Sequence, residues 1–264
     1  MTKAVVYESN NNLYINIAKT CTSDCIFCTK EYFNPHFFET KNENLKKSQN
    51  LPEKTTEQII SDLEGLVLTQ YNKNLFVGDG EERVRCLDEV KFGIVRPSKQ
   101  ILYGYDLYLE KEPSFERVKN DFKKYVKNDY YEAVFTGMGE PLTRLDLVIK
   151  ITKWLDKQNF LVRLDTNGHA KYLFPKRNVV KELLESGMKT ISISLNAHDE
   201  ITYNQLCRPH FNHAYSQMLE FAREVSQSGM NLRFTIVDIP IIDKEKCRQI
   251  ALDYNADFVI RKFT

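Results

Sequence analysis

Lys19-Thr20-Cys21-Thr22-Ser23-Asp24-Cys25-Ile26-Phe27-Cys28 closes a β-rich run at residues 13–19 and puts three cysteines into eight residues, spaced C-x3-C-x2-C. Thiolates at that spacing can converge on one face of a loop and each take a corner of an iron–sulfur cubane, which leaves the fourth iron without a protein ligand. An open iron is a place for chemistry. A zinc site would ask for a fourth thiolate or imidazole at a regular offset. His36 lies eight residues beyond Cys28, but the chain has no second C-x2-C and no H-x3-H. Cys86, Cys207 and Cys247 lie far apart in sequence, and no pair of them has cluster-ligand spacing.

Outward from this loop, the second half of the chain alternates short β-rich runs with amphipathic stretches, the rhythm of parallel βα units. Strands are expected at 13–19, 131–136, 161–166, 190–195, 232–238 and 258–263, with a helical stretch before each of the last five. Val118 and Phe122, Val148 and Ile151, Val180 and Leu183, Met218 and Phe221, then Ile250 and Tyr254 recur at helical spacing. Gly187 and Gly229 stop two of these helices. Six strands with a chain that ends on the sixth suit an open, partial (βα)6 barrel of the TIM-like α/β class; an open doubly wound sheet is the other arrangement the pattern allows.

About ninety residues separate the first strand from the helix that starts at Ser114. The expected organisation is therefore a core of residues 1–30 and 106–264 with an insertion at 31–105, including a polar stretch at 44–50 and a helix near 55–68. The insertion carries 10 Lys and Arg against 12 Asp and Glu, so it is no basic RNA-gripping arm. Because it emerges beside the cysteine loop, it is expected to shape substrate access. The whole chain has 264 residues, 42% of them hydrophobic and 28% charged, with 37 basic residues against 36 acidic for a formal charge of +1. Such a composition is globular, and its charge offers no field to recruit nucleic acid or an anionic membrane. With no signal-like start and no apolar run near 18 residues, the expected location is the cytosol, with no membrane partner.

C-x3-C-x-aromatic-C after a first strand, with Phe27 before the last cysteine, resembles the radical S-adenosylmethionine (SAM) superfamily. Thr136-Gly137-Met138-Gly139-Glu140-Pro141-Leu142 at the end of the second strand is similar to that family's GGE-type motif. Asp165-Thr166-Asn167-Gly168 ends the third strand and Ile191-Ser192-Ile193-Ser194-Leu195-Asn196 forms the fourth, both at the mouth of the partial barrel that the family uses. Leu107 to Pro113, Gln205-Leu206-Cys207-Arg208-Pro209 and Val237-Asp238-Ile239-Pro240 further resemble the TatD-associated radical SAM proteins, over about two thirds of the chain but not the insertion. The Gly-Met-Gly-Glu-Pro-Leu form also looks like that of RNA adenine methylsynthases, although the RNA-binding N-terminal domain and C-terminal methyl-carrying cysteine of that group are missing.

The resemblance implies a single [4Fe–4S] cluster on Cys21, Cys25 and Cys28, SAM on its open iron, and an enzyme that generates a 5′-deoxyadenosyl radical to abstract hydrogen from an unidentified substrate. A reductant such as flavodoxin or ferredoxin is the expected electron donor. Phe27, Gly137, Met138, Gly139 and Glu140 are expected at SAM, the glycines for close backbone approach and the Glu140 carboxylate as acceptor for the ammonium. By period two, Ser194 and Asn196 face the lumen with Ser192. Asn167 belongs to the same mouth, and Arg208 is the expected cation for the SAM carboxylate or an anionic substrate. Each has a bland counterpart: a plain turn at 137–141, a lumen of small polar groups bonding one another, an internal Arg163–Asp165 pair, a loop salt bridge at Arg208. Cys247 reads as core; Cys207 could reach the mouth; Cys86 lies near Arg83 and Arg85; His169, His210 and His213 are loop candidates for proton transfer. The alternatives are an iron–sulfur electron-transfer or sensing protein that makes no use of SAM, and an RNA- or nucleotide-modifying enzyme of the same superfamily.

Overall fold

The computed structural model describes residues 2–28, 105–107, 109–125 and 130–262. Seven strands form the main sheet, in the order β2 (Val6–Ser9), β3 (Asn12–Asn16), β5 (Ala133–Thr136), β6 (Val162–Thr166), β7 (Thr190–Ser194), β8 (Asn231–Val237) and β9 (Asp257–Arg261). From β3 onward every pairing is parallel. Strand order in space equals order in sequence. A doubly wound sheet reverses direction at a switch point; this one does not, so the parallel strands wind one way as in a TIM-like partial barrel. All six strands expected from the sequence are present. The expected insertion, the helix near 55–68 and Cys86 lie outside the described residues, apart from β4 (Tyr105–Asp106), which pairs in parallel with β1 (Thr2–Lys3).

The strand β2 was not expected. It pairs antiparallel with β3 across Asn10 and Asn11, at φ +47° and +60°. Two residues at positive φ make the type I′ turn whose twist matches its strands, and asparagine is one of the few residues that tolerate it. The three consecutive asparagines 10–12 thus mark a hairpin turn.

The helices are α1 (Phe115–Phe122), α2 (Leu145–Asp156), α3 (Ala170–Leu173), α4 (Val179–Glu185), α5 (Glu200–Cys207), α6 (Ala214–Gln227) and α7 (Lys244–Asp253). Side-chain oxygens of Ser114, Asn178, Asp199 and Asp243 cap the N-termini of α1, α4, α5 and α7, each satisfying a backbone donor that the helix cannot. The helices lay Val118, Val148, Leu183, Met218 and Cys247 against the outward strand faces, where Phe135, Leu164, Ile191, Ile193 and Phe234 are fully buried. Strand alternation leaves the other face to Arg163, Asp165, Ser192, Ser194, Arg233 and Thr235, all of which line one cavity. Among the described residues no helix is long and apolar enough to cross a membrane.

Candidate active site

The cavity, of about 530 Å³, opens where the C-terminal ends of the parallel strands meet. It gathers Cys21, Cys25, Cys28 and Phe27, the whole 137–140 stretch, Asn167, Ser194 and Asn196. Arg208 is not among its walls. That residue ends α5 in the left-handed region at φ +46° and lines a separate cleft with Glu200, Asn204 and Phe211. The cations of the cavity are Arg163, Arg233, Arg261 and Lys262.

The cysteine loop is held from two sides. On one, the Glu140 N–H donates to the Thr20 carbonyl at 2.8 Å, and the Asn167 amide donates to Thr22 Oγ1 at 2.8 Å and towards Cys21 Sγ at 3.7 Å. On the other, Asp24 N–H reaches the Arg208 carbonyl and Ile26 N–H the Leu206 carbonyl, at 3.2 and 3.0 Å, while His210 N–H reaches the Thr22 carbonyl at 3.0 Å. Ile26 is fully buried and Phe27 9% exposed, so the loop is anchored by apolar packing as well.

Glu140 holds this assembly together. Its Oε1 accepts from Leu142 N–H at 2.9 Å and from the Thr166 hydroxyl at 2.7 Å, and its Oε2 accepts from Asn167 N–H at 2.7 Å. Three of roughly four acceptor sites on a carboxylate are thus taken by the protein. The residue expected chiefly as a ligand for the SAM ammonium is first a clamp joining the loops after β5 and β6. Burial pushes its pKa up to about 7, against the lowering effect of those three donors. In Glu140→Gln one carboxylate oxygen becomes an amide that cannot accept, leaving a buried donor unmatched. We expect a loss of about 1–3 kcal/mol in unfolding free energy, read from urea titration; an unchanged midpoint would show the clamp to be dispensable.

His169 lies in the turn before α3, the loop position expected of it, but its ring points inward. Fully buried, it bridges Thr22 Oγ1 at 2.7 Å from Nδ1 and the Tyr203 hydroxyl at 2.8 Å from Nε2, under the ring of Phe211. Burial, aided by His210, lowers its pKa to about 3. The folded state therefore refuses a proton that the unfolded state takes below 6.5, so this contribution is intact above pH 6.5 and is lost as the pH falls towards 3. Near pH 5.5 the loss is about 1.4 kcal/mol. His169→Gln should remove that slope from stability measured by urea unfolding at pH 7.5 and 5.5, and an identical slope in the variant would disprove the assignment. His210 and His213 are exposed, the former beside Asp24 at 3.0 Å.

Across the cavity, Arg163 is paired with Glu132 at 2.9 Å and Asp165 at 2.5 Å, an internal network. Arg261 donates to Ser194 Oγ at 3.2 Å. Arg233 escaped the sequence reading, although it stands in the same period-two polar row; its Nε is buried with no hydrogen-bond partner. Asn196, at φ +53°, carries a buried Oδ1 without a partner, as does Ser23 at its Oγ. Both residues line the cavity.

Three thiol side chains, orphaned polar atoms and a glycine-lined loop around one cavity are a donor set that fits a cubane and a polar cofactor. Burial, then Glu140, pushes the Cys21 thiol upward; a bound metal cation would reverse that by favouring the thiolate. Among the described residues no three Cys, His, Asp or Glu side chains converge as ligands of one ion, whereas a cubane asks for one thiolate at each of three corners.

The sequence model of the radical SAM superfamily matches residues 97–253, more than half of the chain. The chain belongs to the radical SAM superfamily. The matched segment covers β4 to α7 and leaves out the cysteine loop, which the fold returns to the same cavity. Among solved structures, the chain resembles TYW1 with a lysine–pyruvate adduct bound, at 14% identity over 97% of this chain and 66% of that one, with a TM-score of 0.49. It also resembles SuiB of Streptococcus suis, solved with its precursor peptide SuiA and with S-adenosylmethionine, at 15% identity over 94% of this chain and 63% of that one, with TM-scores of 0.49 and 0.48. The chain thus spans just under two thirds of the length of these proteins. No curated protein matches it.

Proposed function

We propose that this radical SAM protein is an enzyme that cleaves SAM reductively at a single [4Fe–4S] cluster held by Cys21, Cys25 and Cys28. When bound, the cluster supplies one electron to SAM, giving methionine and a 5′-deoxyadenosyl radical that abstracts hydrogen from a substrate. The observation that carries this reading is the shared cavity: the cysteine triplet and the Gly137–Glu140 stretch, which lie over a hundred residues apart, are joined through the Glu140 N–H and the Thr20 carbonyl.

The residues divide the work. Gly137 and Gly139 let backbone approach a ligand closely, Met138 and Phe27 give it apolar walls, and Asn196 and Ser194 offer hydrogen-bonding groups to its polar end. The remaining acceptor site of Glu140 can take an ammonium. Arg233 and Arg261 replace Arg208 as the cations within reach. The likeness of Gln205–Pro209 and Val237–Pro240 to TatD-associated radical SAM proteins makes that the subgroup we favour, with a flavodoxin or ferredoxin as electron donor. Anaerobic reconstitution with iron and sulfide, then dithionite and SAM, should release 5′-deoxyadenosine and methionine in equal amounts. A loaded protein that released neither would leave an electron carrier as the better description.

A further inference from the structure

Cys207 stands outside the triplet, yet the fold sets it against a member of it. The bonds from Asp24 N–H to the Arg208 carbonyl and from Ile26 N–H to the Leu206 carbonyl run in antiparallel sense, as does the bridge between Ser23 and Pro209. Cys25 and Cys207 lie opposite each other between those two bonds. Their side chains are neighbours, and both residues line the cavity. Cys21, by contrast, has the Asn167 amide as its neighbour. Cys207 is 1% exposed at the end of α5, so its position is fixed by the helix and by the strapped loop together.

We infer that Cys25 and Cys207 form a redox pair in the cluster-free chain, closing a disulfide that withholds Cys25 from iron until it is reduced. The oxidant is a small-molecule disulfide of the glutathione type. The Cys25 sulfur attacks one sulfur of oxidised glutathione, expelling one glutathione, which carries off the Cys25 proton. The Cys207 sulfur then attacks the Cys25 sulfur and expels the second glutathione with the Cys207 proton. Two protein thiols lose two electrons and two protons, and oxidised glutathione gains both. The covalent pair rests on backbone register alone; its effect on cluster assembly rests also on Cys25 being a ligand, as proposed above.

The test uses full-length protein, freed of metal and fully reduced, then treated with oxidised glutathione, alkylated under denaturing conditions and digested without reductant. The expected result is a peptide containing Cys207 joined to the one containing the triplet, with fragment ions assigning the bond to Cys25, and its absence from Cys207→Ala. Cys247→Ala should leave it in place. Iron uptake by the oxidised wild type should fall to background and return with dithiothreitol. A Cys207 that is alkylated, glutathionylated, or joined to Cys21 or Cys28 overturns the inference, and so does full iron uptake by the bridged chain. SAM cleavage measured on never-oxidised protein reports on the enzyme reading separately.

Discussion

Gly139→Ala is expected to lose both stability and iron, because the new methyl group has nowhere to go. An added Cβ would lie 2.5 Å from the Thr20 carbonyl oxygen and 2.7 Å from the carbonyl carbon and oxygen of Ala18. All three are backbone atoms, so no side chain can rotate aside. Overpacking of this kind costs typically 1–3 kcal/mol, and with an unyielding neighbour we expect about 3. The strain has a direction. Thr20 runs straight into Cys21, and its carbonyl already takes the Glu140 N–H, so relief comes from moving the cysteine loop. Urea unfolding and iron per chain after anaerobic reconstitution should therefore fall together. Gly229→Ala is the control: despite φ of +88°, nothing lies within 4 Å of its Cβ position, so it should lose about 1 kcal/mol from backbone strain and keep its iron. A Gly139→Ala protein with wild-type midpoint and iron would refute the close seating of the two loops.

Alanine at Cys21, Cys25 or Cys28 should abolish 5′-deoxyadenosine formation and reduce bound iron to background, since a cubane with two protein thiolates lacks a corner ligand. The complementary variant replaces Cys86, Cys207 and Cys247 together and, kept under reductant, should retain about four irons per chain. Cys247 is buried in the stripe of α7, so some loss of stability is expected there without loss of metal. Half the iron missing from the triple variant would reveal a second cluster and overturn the single-cluster assignment.

Why one part of this was legible in sequence and another was not follows from the range of the interactions. The parallel strands announce themselves by alternation, and 191–196 shows both faces in six residues. The helix α5 does not: Ile201 is 72% exposed while Thr202, Tyr203, Leu206 and Cys207 are buried, so its inner face is not an apolar stripe. The only local sign was Asp199 as a cap. Missing that helix displaced everything attached to its end. Arg208 reads as a cation beside the mouth, but the left-handed turn at its own position carries it to the outer cleft, and Cys207 comes to face Cys25 by the same turn. His169 is legible as a loop residue, but its burial is not, because its partners, Thr22 and Tyr203, are contributed by distant segments. The cysteine loop and the 137–140 stretch were readable since their chemistry is packed into a few consecutive residues.

Asn16 sits at the end of β3 and donates through its side-chain amide to the Leu107 carbonyl at 2.8 Å, while its Oδ1 accepts from Met138 N–H at 3.4 Å. These bonds close 91 and 122 residues of chain, and the Thr22–His169 bond closes 147. Contacts of such separation carry their loop-closure entropy before they return any stability, which slows the folding steps that depend on them. The βα units after β5 are local by comparison and can condense first. The mouth of the barrel is then the last region to take shape, and a chain still being synthesised cannot present its cysteines in their final setting until the segment through His210 has emerged. Metal loading in the cell is accordingly expected to follow completion of the fold, so that iron delivered too early meets three thiols on a loose loop.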